Sequence, residues 1–518
     1  MKSWIIKYHR RVLTIALAGG LLGFFGLICY LNLSQNPGFY CTDMYSDMLY
    51  AVRAWEEKTI FPDGWVFGNQ FYVIATPVVS ALLYGITQDM TLSMALASIL
   101  MTLGIALSFL WMLKPVFSRL EERLTSLLGL VVLTAYCGDA IYAINGWQLL
   151  FTMCSYYACY LITAFLCFGC FLRRQEKLTR PYVAMLTLTL LLCFGSGMQS
   201  LRQTAVMLPP IICLEAITQG RSLIKHKRLQ LRPLMITLIM VIANLLGLLT
   251  IRLLKIPQHE IFYSLKPVAL EKLTASLNAA MSNLSELLCK QERFGVLLLA
   301  VLVSAILAYF QSKWQREAPT GRLRSLILLI AVSVLVIVMI DAFTQMSVRS
   351  IYYFMLFPLV AVLMGFAYRF WRGGRAIVLV VLAVLMIGAL HNSVIPSVRA
   401  AGQAKDNISY EISDLLIEKG YTTVYSGWNQ CEDIAIASDG RITAGFWNRS
   451  KEVFQSVDYL CDPSIYETES DKCAYYLRRD NRDIALQEAK KRGVTMTLIA
   501  AYPERGIWLY EASENMMR

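Results

Sequence analysis

Runs of about 17–25 apolar residues alternate with short polar, mostly basic segments along most of the 518-residue chain. Each run can cross a ~30 Å hydrocarbon core as a helix. The pattern predicts spans over residues 12–31, 91–113, 124–143, 147–172, 182–199, 203–218, 234–254, 294–310, 325–343, 349–369 and 376–395. With the basic N-terminus in the cytoplasm, alternation puts Lys114/Arg119/Arg123, Arg173/Arg174/Lys177/Arg180, Arg221/Lys225/Lys227/Arg228/Arg232, Lys313/Arg316/Arg322/Arg324 and Arg369/Arg372/Arg375 on the inside. The short opposite loops hold little beyond Arg202 and Arg349. This is the positive-inside pattern. The first run lacks a small-x-small cleavage site before Asn32 and reads as an uncleaved span.

Residues 71–86 (FYVIATPVVSALLYGI) are also apolar, but counting them as a span would invert every later loop. They read instead as a helix lying at the outer membrane surface. Two outer loops are then long, about residues 32–90 and 255–293, where short connections are the default. After Pro396 the apolar runs shorten and charge density rises. Helices are expected over 409–419 and 480–492, and strands over 422–426, 495–501 and 506–511, which together make a small α/β domain. The expected architecture is mainly α: a polytopic transmembrane helical bundle of about eleven spans, residues 1–396, followed by an extracytoplasmic α/β domain, residues 397–518. Such a chain belongs in the plasma membrane.

Composition agrees with that picture and narrows the function. Hydrophobic residues make up 57% of the chain and charged residues only 16%, against roughly 25% in soluble domains, and the mean hydropathy is +0.51. The net charge of +12 does not point to nucleic acid, because the Lys and Arg sit between apolar runs. Most of the thirteen cysteines lie in or near those runs, and none has zinc-finger spacing. Cys461 and Cys473 could pair if their domain faces an oxidising compartment. No P-loop, GxSxG, HExxH or CxxC signature occurs, so nucleotide-driven and common hydrolase chemistry lacks support. Ionisable residues within spans are few (Asp139, Glu215, Asp341), which argues against a proton-coupled transporter.

The first long loop, CTDMYSDMLYAVRAWEEKTIFPDGWVFGNQ, carries Asp43 and Asp47 just beyond the first span. Ser46 as N-cap would start a helix at Asp47, with Met44, Met48, Val52 and Trp55 on one side, suited to the membrane interface. An earlier start puts Asp43, Asp47 and Tyr50 on a shared face. Either one carboxylate serves as a general base at the membrane surface, or both are ordinary acidic residues of a loop or helix start. Arg202 and Arg349 are isolated cations at the outer ends of their spans. A guanidinium suits phosphate because its planar fork engages two oxygens, whereas snorkelling to lipid phosphates is the plainer reading. In the terminal domain Trp428, Asn429 and Trp447 could hold an acceptor glycan or polymer, or the Trp residues could serve the core as a buried Trp often does.

This arrangement resembles the GT-C class of membrane glycosyltransferases, which includes protein O-mannosyltransferases, the aminoarabinose transferase of lipid A and oligosaccharyltransferases. The likeness covers most of the chain: a first span, a long outer loop with an early Asp, surface helices, and a second long loop after the seventh span. In SDMLYAVRAW, Asp47 is similar to the acid of the "DE-x-R-Y-A" pattern of that class. The Asp-Glu pair is here Asp47-Met48, which leaves Asp43 open as the alternative. Arg349 with Tyr352, Tyr353 and Pro358 looks like the "R-Y…P" segment in which an Arg meets the lipid phosphate. Arg202 is placed similarly by analogy. The resemblance implies transfer of a sugar from a polyprenyl-phosphate donor to a glycan, lipid or protein acceptor. Membrane lipids are the other implied partners. A carboxylate site could hold a divalent ion, but the spacing does not demand a metal or another cofactor. A transporter or flippase of a lipid-linked or small substrate, or a surface-polysaccharide polymerase or ligase, are the alternatives.

Overall fold

The computed structural model describes residues 2–34, 36–136, 150–152, 157–259, 267–289, 292–314, 321–344, 353–371, 374–403, 407–448 and 453–517. The chain is a multi-pass membrane protein. In chain order its first helices are α1 (Lys2–Leu33), α2 (Thr42–Glu56), α3 (Thr76–Thr87), α4 (Met90–Leu113), α5 (Leu120–Thr134), α6 (Ala158–Arg173) and α7 (Arg180–Gln199). There follow α8 (Leu201–His226), α9 (Leu231–Leu254), α10 (Leu273–Cys289), α11 (Glu292–Trp314), α12 (Gly321–Phe343), α13 (Leu356–Phe370), α14 (Arg375–Ala389) and α15 (Ile395–Gly402). A π turn over Leu390–Val394 joins the last two, so the helical path continues past residue 396.

Among the described residues, seven helices are long and apolar enough to cross a bilayer: α1, α4, α7, α9, α11, α12 and the α14–α15 path. Every other expected span also contains a helix, but a shorter or more polar one. α6 and α13 have 16 and 15 residues, or about 22–24 Å at 1.5 Å per residue. The 26-residue α8 carries Glu215 and two internal prolines, Pro209 and Pro210. Glu215 is neutralised by Arg174, the residue that follows α6, at 2.8 Å, with both side chains buried. The segment 71–86 yields only the 12-residue α3, too short to span. Its Leu82 and Ile86 are exposed and its Pro77, Ser80 and Ala81 are buried against the bundle.

Helices α7 and α9 touch backbone to backbone. A Cβ on Gly197 would lie 2.0 Å from the Asn244 carbonyl oxygen, and one on Gly247 would lie 2.0 Å from that of Phe194. Small residues allow this approach. Asn244 locks it, since its Nδ2 donates to the Cys193 carbonyl at 2.9 Å and its Oδ1 accepts from Thr204 Oγ1 at 3.0 Å.

The terminal region contains α16 (Ile408–Glu418), β1 (Thr423–Gly427), α17 (Glu432–Ala437), β2 (Thr443–Trp447), β3 (Cys473–Arg478), α18 (Arg482–Lys491), β4 (Met496–Tyr502) and β5 (Ile507–Ala512). The sheet order is β2-β1-β3-β5-β4. The first three strands are parallel, and β5 is antiparallel to both β3 and β4. Strand alternation sends Tyr425, Tyr475 and Leu477 toward α18 and the chain end, and Val424, Ala474 and Tyr476 toward α16 and α17. The second core also takes in Met44, Tyr45 and Met48 of α2 and Met90 and Met94 of α4. The Met44/Met48 face, expected at the membrane interface, therefore lies under the sheet, while Trp55 stays exposed. Cys461 and Cys473 are not joined, and each thiol points to a carbonyl of its own, Val457 and Ser470.

Replacing Gly247 with Leu should push α9 off α7. Overpacking of this kind costs about 1–3 kcal/mol or more. The expected outcome is a lower melting temperature and a smaller monodisperse fraction in detergent, and wild-type behaviour would contradict the close approach.

Candidate functional site

Helix α2 begins at Thr42, not at Asp47. Its N-cap position, Cys41, supplies no side-chain cap. The cap comes from the terminal domain instead. Asn429 Oδ1 accepts the Thr42 N–H at 3.0 Å, and the Asn429 N–H donates back to Thr42 Oγ1 at 2.9 Å. Asn429 adopts φ +59°, a conformation Asn tolerates better than most residues, to make this reciprocal pair. Three further ties hold the same helix and its following loop. The Ala444 N–H of β2 donates to the Tyr45 hydroxyl at 2.9 Å, Arg53 pairs with Asp462, and the Val66 N–H donates to the Cys461 carbonyl at 2.9 Å.

The early start puts Asp43, Asp47 and Tyr50 at helical spacing on one face. Asp47 is only 1% exposed and Asp43 is half-buried. Tyr50 is fully buried in an aromatic nest, with ring centroids 4.8 Å from Tyr72 and 5.8 Å from both Trp65 and Phe67. Its hydroxyl donates to the Ile60 carbonyl at 2.9 Å. The second long loop is tied to the first at this point, because His259 N–H donates to the Phe67 carbonyl at 2.8 Å and Gln258 Nε2 to that of Gly68 at 2.9 Å.

From this nest the loop runs onto the start of α8. The Phe71 N–H donates to the Gln199 carbonyl, and Gln199 Oε1 accepts the N–H groups of Val73 and Ile74. Ser200 caps α8 by accepting the Arg202 N–H at 3.2 Å. The Tyr160 hydroxyl of α6 lies 3.1 Å from both Ser200 Oγ and Gln70 Oε1. Arg202, half-buried, thus stands in the first turn of a 26-residue helix beside the first loop. Helix N-termini favour anions, so the guanidinium and the helix end reinforce each other. Sequence reasoning missed Gln70, Tyr160 and Gln199. Their one local signal was polar residues in otherwise apolar stretches.

The same wall reaches the approach to α13. Phe354 packs on Tyr157 and Tyr160, with centroids 5.2 and 6.0 Å apart. Tyr353, buried beside it, donates its hydroxyl to Asp341 Oδ2 at 2.5 Å, and Asn283 Nδ2 of α10 donates to that oxygen at 3.1 Å. Arg349 and Tyr352 lie outside the described residues, as does Asp139. In the terminal domain, Trp428 packs edge-on against Phe446 and Tyr459, and Asn429 is committed to α2. Among the described residues, no cluster of three His, Cys, Asp or Glu side chains could hold a metal ion.

Glu432 is the acidic group at the joint between the two parts. Thr42 Oγ1 donates to its Oε2 at 3.3 Å. Burial, with the neighbouring Asp433 adding to it, pushes its carboxyl up to about 8. The shift favours the protonated form, which suits a carboxyl buried in the joint.

No family model matches the chain, and no curated protein sequence does. Among solved structures, it is similar to the crystal structure of ArnT from Cupriavidus metallidurans bound to undecaprenyl phosphate. The likeness covers 95% of this chain and 98% of that one, with a TM-score of 0.52 at 13% identity. The fold is therefore the GT-C one: a polytopic helical bundle with a small terminal sheet domain.

Because the folded carboxyl of Glu432 titrates above its unfolded value, the folded state holds more protons between the two. Stability then falls as pH rises through that window, up to about 8. The melting temperature of the purified chain should drop by several degrees between about pH 6 and about pH 9. Glu432→Gln should flatten that slope, and an unchanged slope would show that another group controls it.

Proposed function

We propose that this chain is a polyprenyl-phosphate-dependent glycosyltransferase acting at the extracytoplasmic face of the plasma membrane. The observation that carries the reading is a wall of linked residues: Tyr50, on the α2 face that bears Asp43 and Asp47, meets Tyr72, and Tyr160 meets Gln70 on one side and Ser200, beside Arg202, and Phe354, beside Tyr353, on the other. It joins an acidic helix to a cationic helix end, as a reaction that deprotonates one partner and discharges a phosphate from the other requires. The fold likeness to a protein solved with undecaprenyl phosphate supports a lipid-phosphate donor. The charge of the inter-span loops supports the extracytoplasmic side.

In the proposed reaction, the acceptor oxygen or nitrogen attacks the anomeric carbon of the donor sugar. The bond from that carbon to the phosphate oxygen breaks, and the electron pair leaves on the polyprenyl phosphate. Asp47 takes the acceptor's proton, with Asp43 as the alternative base. Arg202 at the α8 N-terminus and Arg349 offset the charge growing on the phosphate. Tyr353 and Tyr352 flank the phosphate, with Tyr353 fixed by Asp341. Tyr160 orients the Ser200 cap and so positions Arg202. The membrane supplies the donor laterally, and the loops hold the acceptor against it.

Asp47→Asn should lower sugar transfer in membranes by about 10²–10⁴-fold at normal expression and melting temperature. Undiminished transfer would remove Asp47 as the base and turn attention to Asp43. Arg202→Ala and Arg349→Ala should each weaken use of the lipid donor, and Tyr160→Phe should do so more mildly. An unaltered donor dependence in both arginine variants would remove the phosphate role.

A further inference from the structure

A groove of 650 Å³ opens on the terminal domain, lined by Asn407, Tyr410, Glu411, Tyr502, Glu504 and Arg505 together with Ile408 and Pro503. None of these residues belongs to the wall described above. One side is the first turn of α16, whose N-cap Asn407 accepts the Ser409 N–H at 3.1 Å. The other is the turn after β4, Pro503–Arg505, closed by Gly506 at φ +66° and by the Gly506 N–H donating to the Pro503 carbonyl at 3.1 Å. Proline fixes φ at the start of that turn and the left-handed glycine lets it close, which sets Glu504 and Arg505 at the rim. Tyr502 and Glu411 line the groove from its two sides.

We infer that this groove is a binding site for a neutral or amino-bearing oligosaccharide. Its size lies within the ~300–1,000 Å³ of ligand pockets. Two half-buried tyrosines offer flat apolar faces with polar tips, which suit the alternating C–H and hydroxyl surface of a sugar ring. The carboxylates of Glu411 and Glu504 and the Arg505 fork bind vicinal hydroxyls from both sides. Two acidic groups against one basic group disfavour an acidic sugar.

Position adds to the argument. Asn407 abuts Gly38, where a Cβ would stand 3.3 Å from the Asn407 amide nitrogen, and Gly38 lies in the short connection that leads into α2. A glycan in the groove would lie on the same rim of the domain as the start of the acidic helix. Trp428 and Asn429 are already engaged by the protein itself, whereas the groove is open. In the transferase reading, on which only its purpose rests, the groove would hold the distal part of a glycan acceptor.

The test measures binding without any donor. The full chain in nanodiscs is titrated with N-acetylglucosamine tetrasaccharide, glucosamine disaccharide, mannotetraose and a galacturonic acid tetramer, followed by saturation-transfer NMR. At least one of the first three should saturate on the order of 10⁻⁴–10⁻³ M, with the acidic tetramer at least about tenfold weaker. Tyr410→Ala and Tyr502→Ala should each weaken binding about tenfold or more, while Arg482→Ala, stacked over Trp508 elsewhere on the domain, should leave it unchanged. Absence of binding by all three below about 10 mM, or binding indifferent to both tyrosine variants, would overturn the inference. Asp47→Asn should bind normally, so loss of transfer and loss of binding are read separately.

Discussion

Met44, Tyr45 and Met48 of the first loop fill the core beneath the terminal sheet, and the rest of this end of the molecule depends on that contact. It makes one structure out of parts from opposite ends of the chain. The apolar contact is non-directional, and the polar ties around it set the register: Asn429 at the start of α2, Ala444 at Tyr45, and Asp462 at Arg53. Once α2 is fixed, Tyr50 has a definite place among Trp65, Phe67 and Tyr72, and the loop is led to Gln199 and the start of α8. The acidic residues and Arg202 owe their common wall to a domain that touches neither the donor nor the bilayer interior in the proposed reaction.

Much of this was legible in the sequence because it is local. Apolar runs of bilayer length, the basic loops and the change of character near residue 396 follow from hydropathy and charge, and the helices fall where the runs are. The start of α2 was not legible. A local reading prefers Ser46 as N-cap, and Thr42 wins because the capping side chain is Asn429, 387 positions away in sequence. The Met44/Met48 face misled for the same reason: amphipathicity tells which side is buried, but not whether lipid or protein covers it. Strands β2 and β3 were missed because they are short and buried on both faces, so they lack the polar alternation by which a half-exposed strand is recognised. Of the candidate site, the individual charges were visible, but the connecting residues were not. Gln70, Tyr160 and Gln199 acquire meaning only from their partners.

Those connecting residues also explain how polar groups persist within so apolar a bundle. A buried amide or hydroxyl left without a partner costs about 1–3 kcal/mol, so the network must be satisfied together or not at all. Gln199 meets that demand by serving two backbone N–H groups, Gln203 and Cys159 at once. Groups held this way are rigid, which suits the fixed geometry that the proposed reaction needs.

The long sequence separation within the α2 seat also has a consequence for biogenesis. Ribosomes add roughly 5–20 residues per second, so α2 waits tens of seconds for β1, β2 and β3 to be made. During that interval Met44, Tyr45 and Met48 have no sheet to cover. A chain truncated before β2 would keep its spans but leave this apolar helix face uncovered, recognisable to quality control as an unfinished protein.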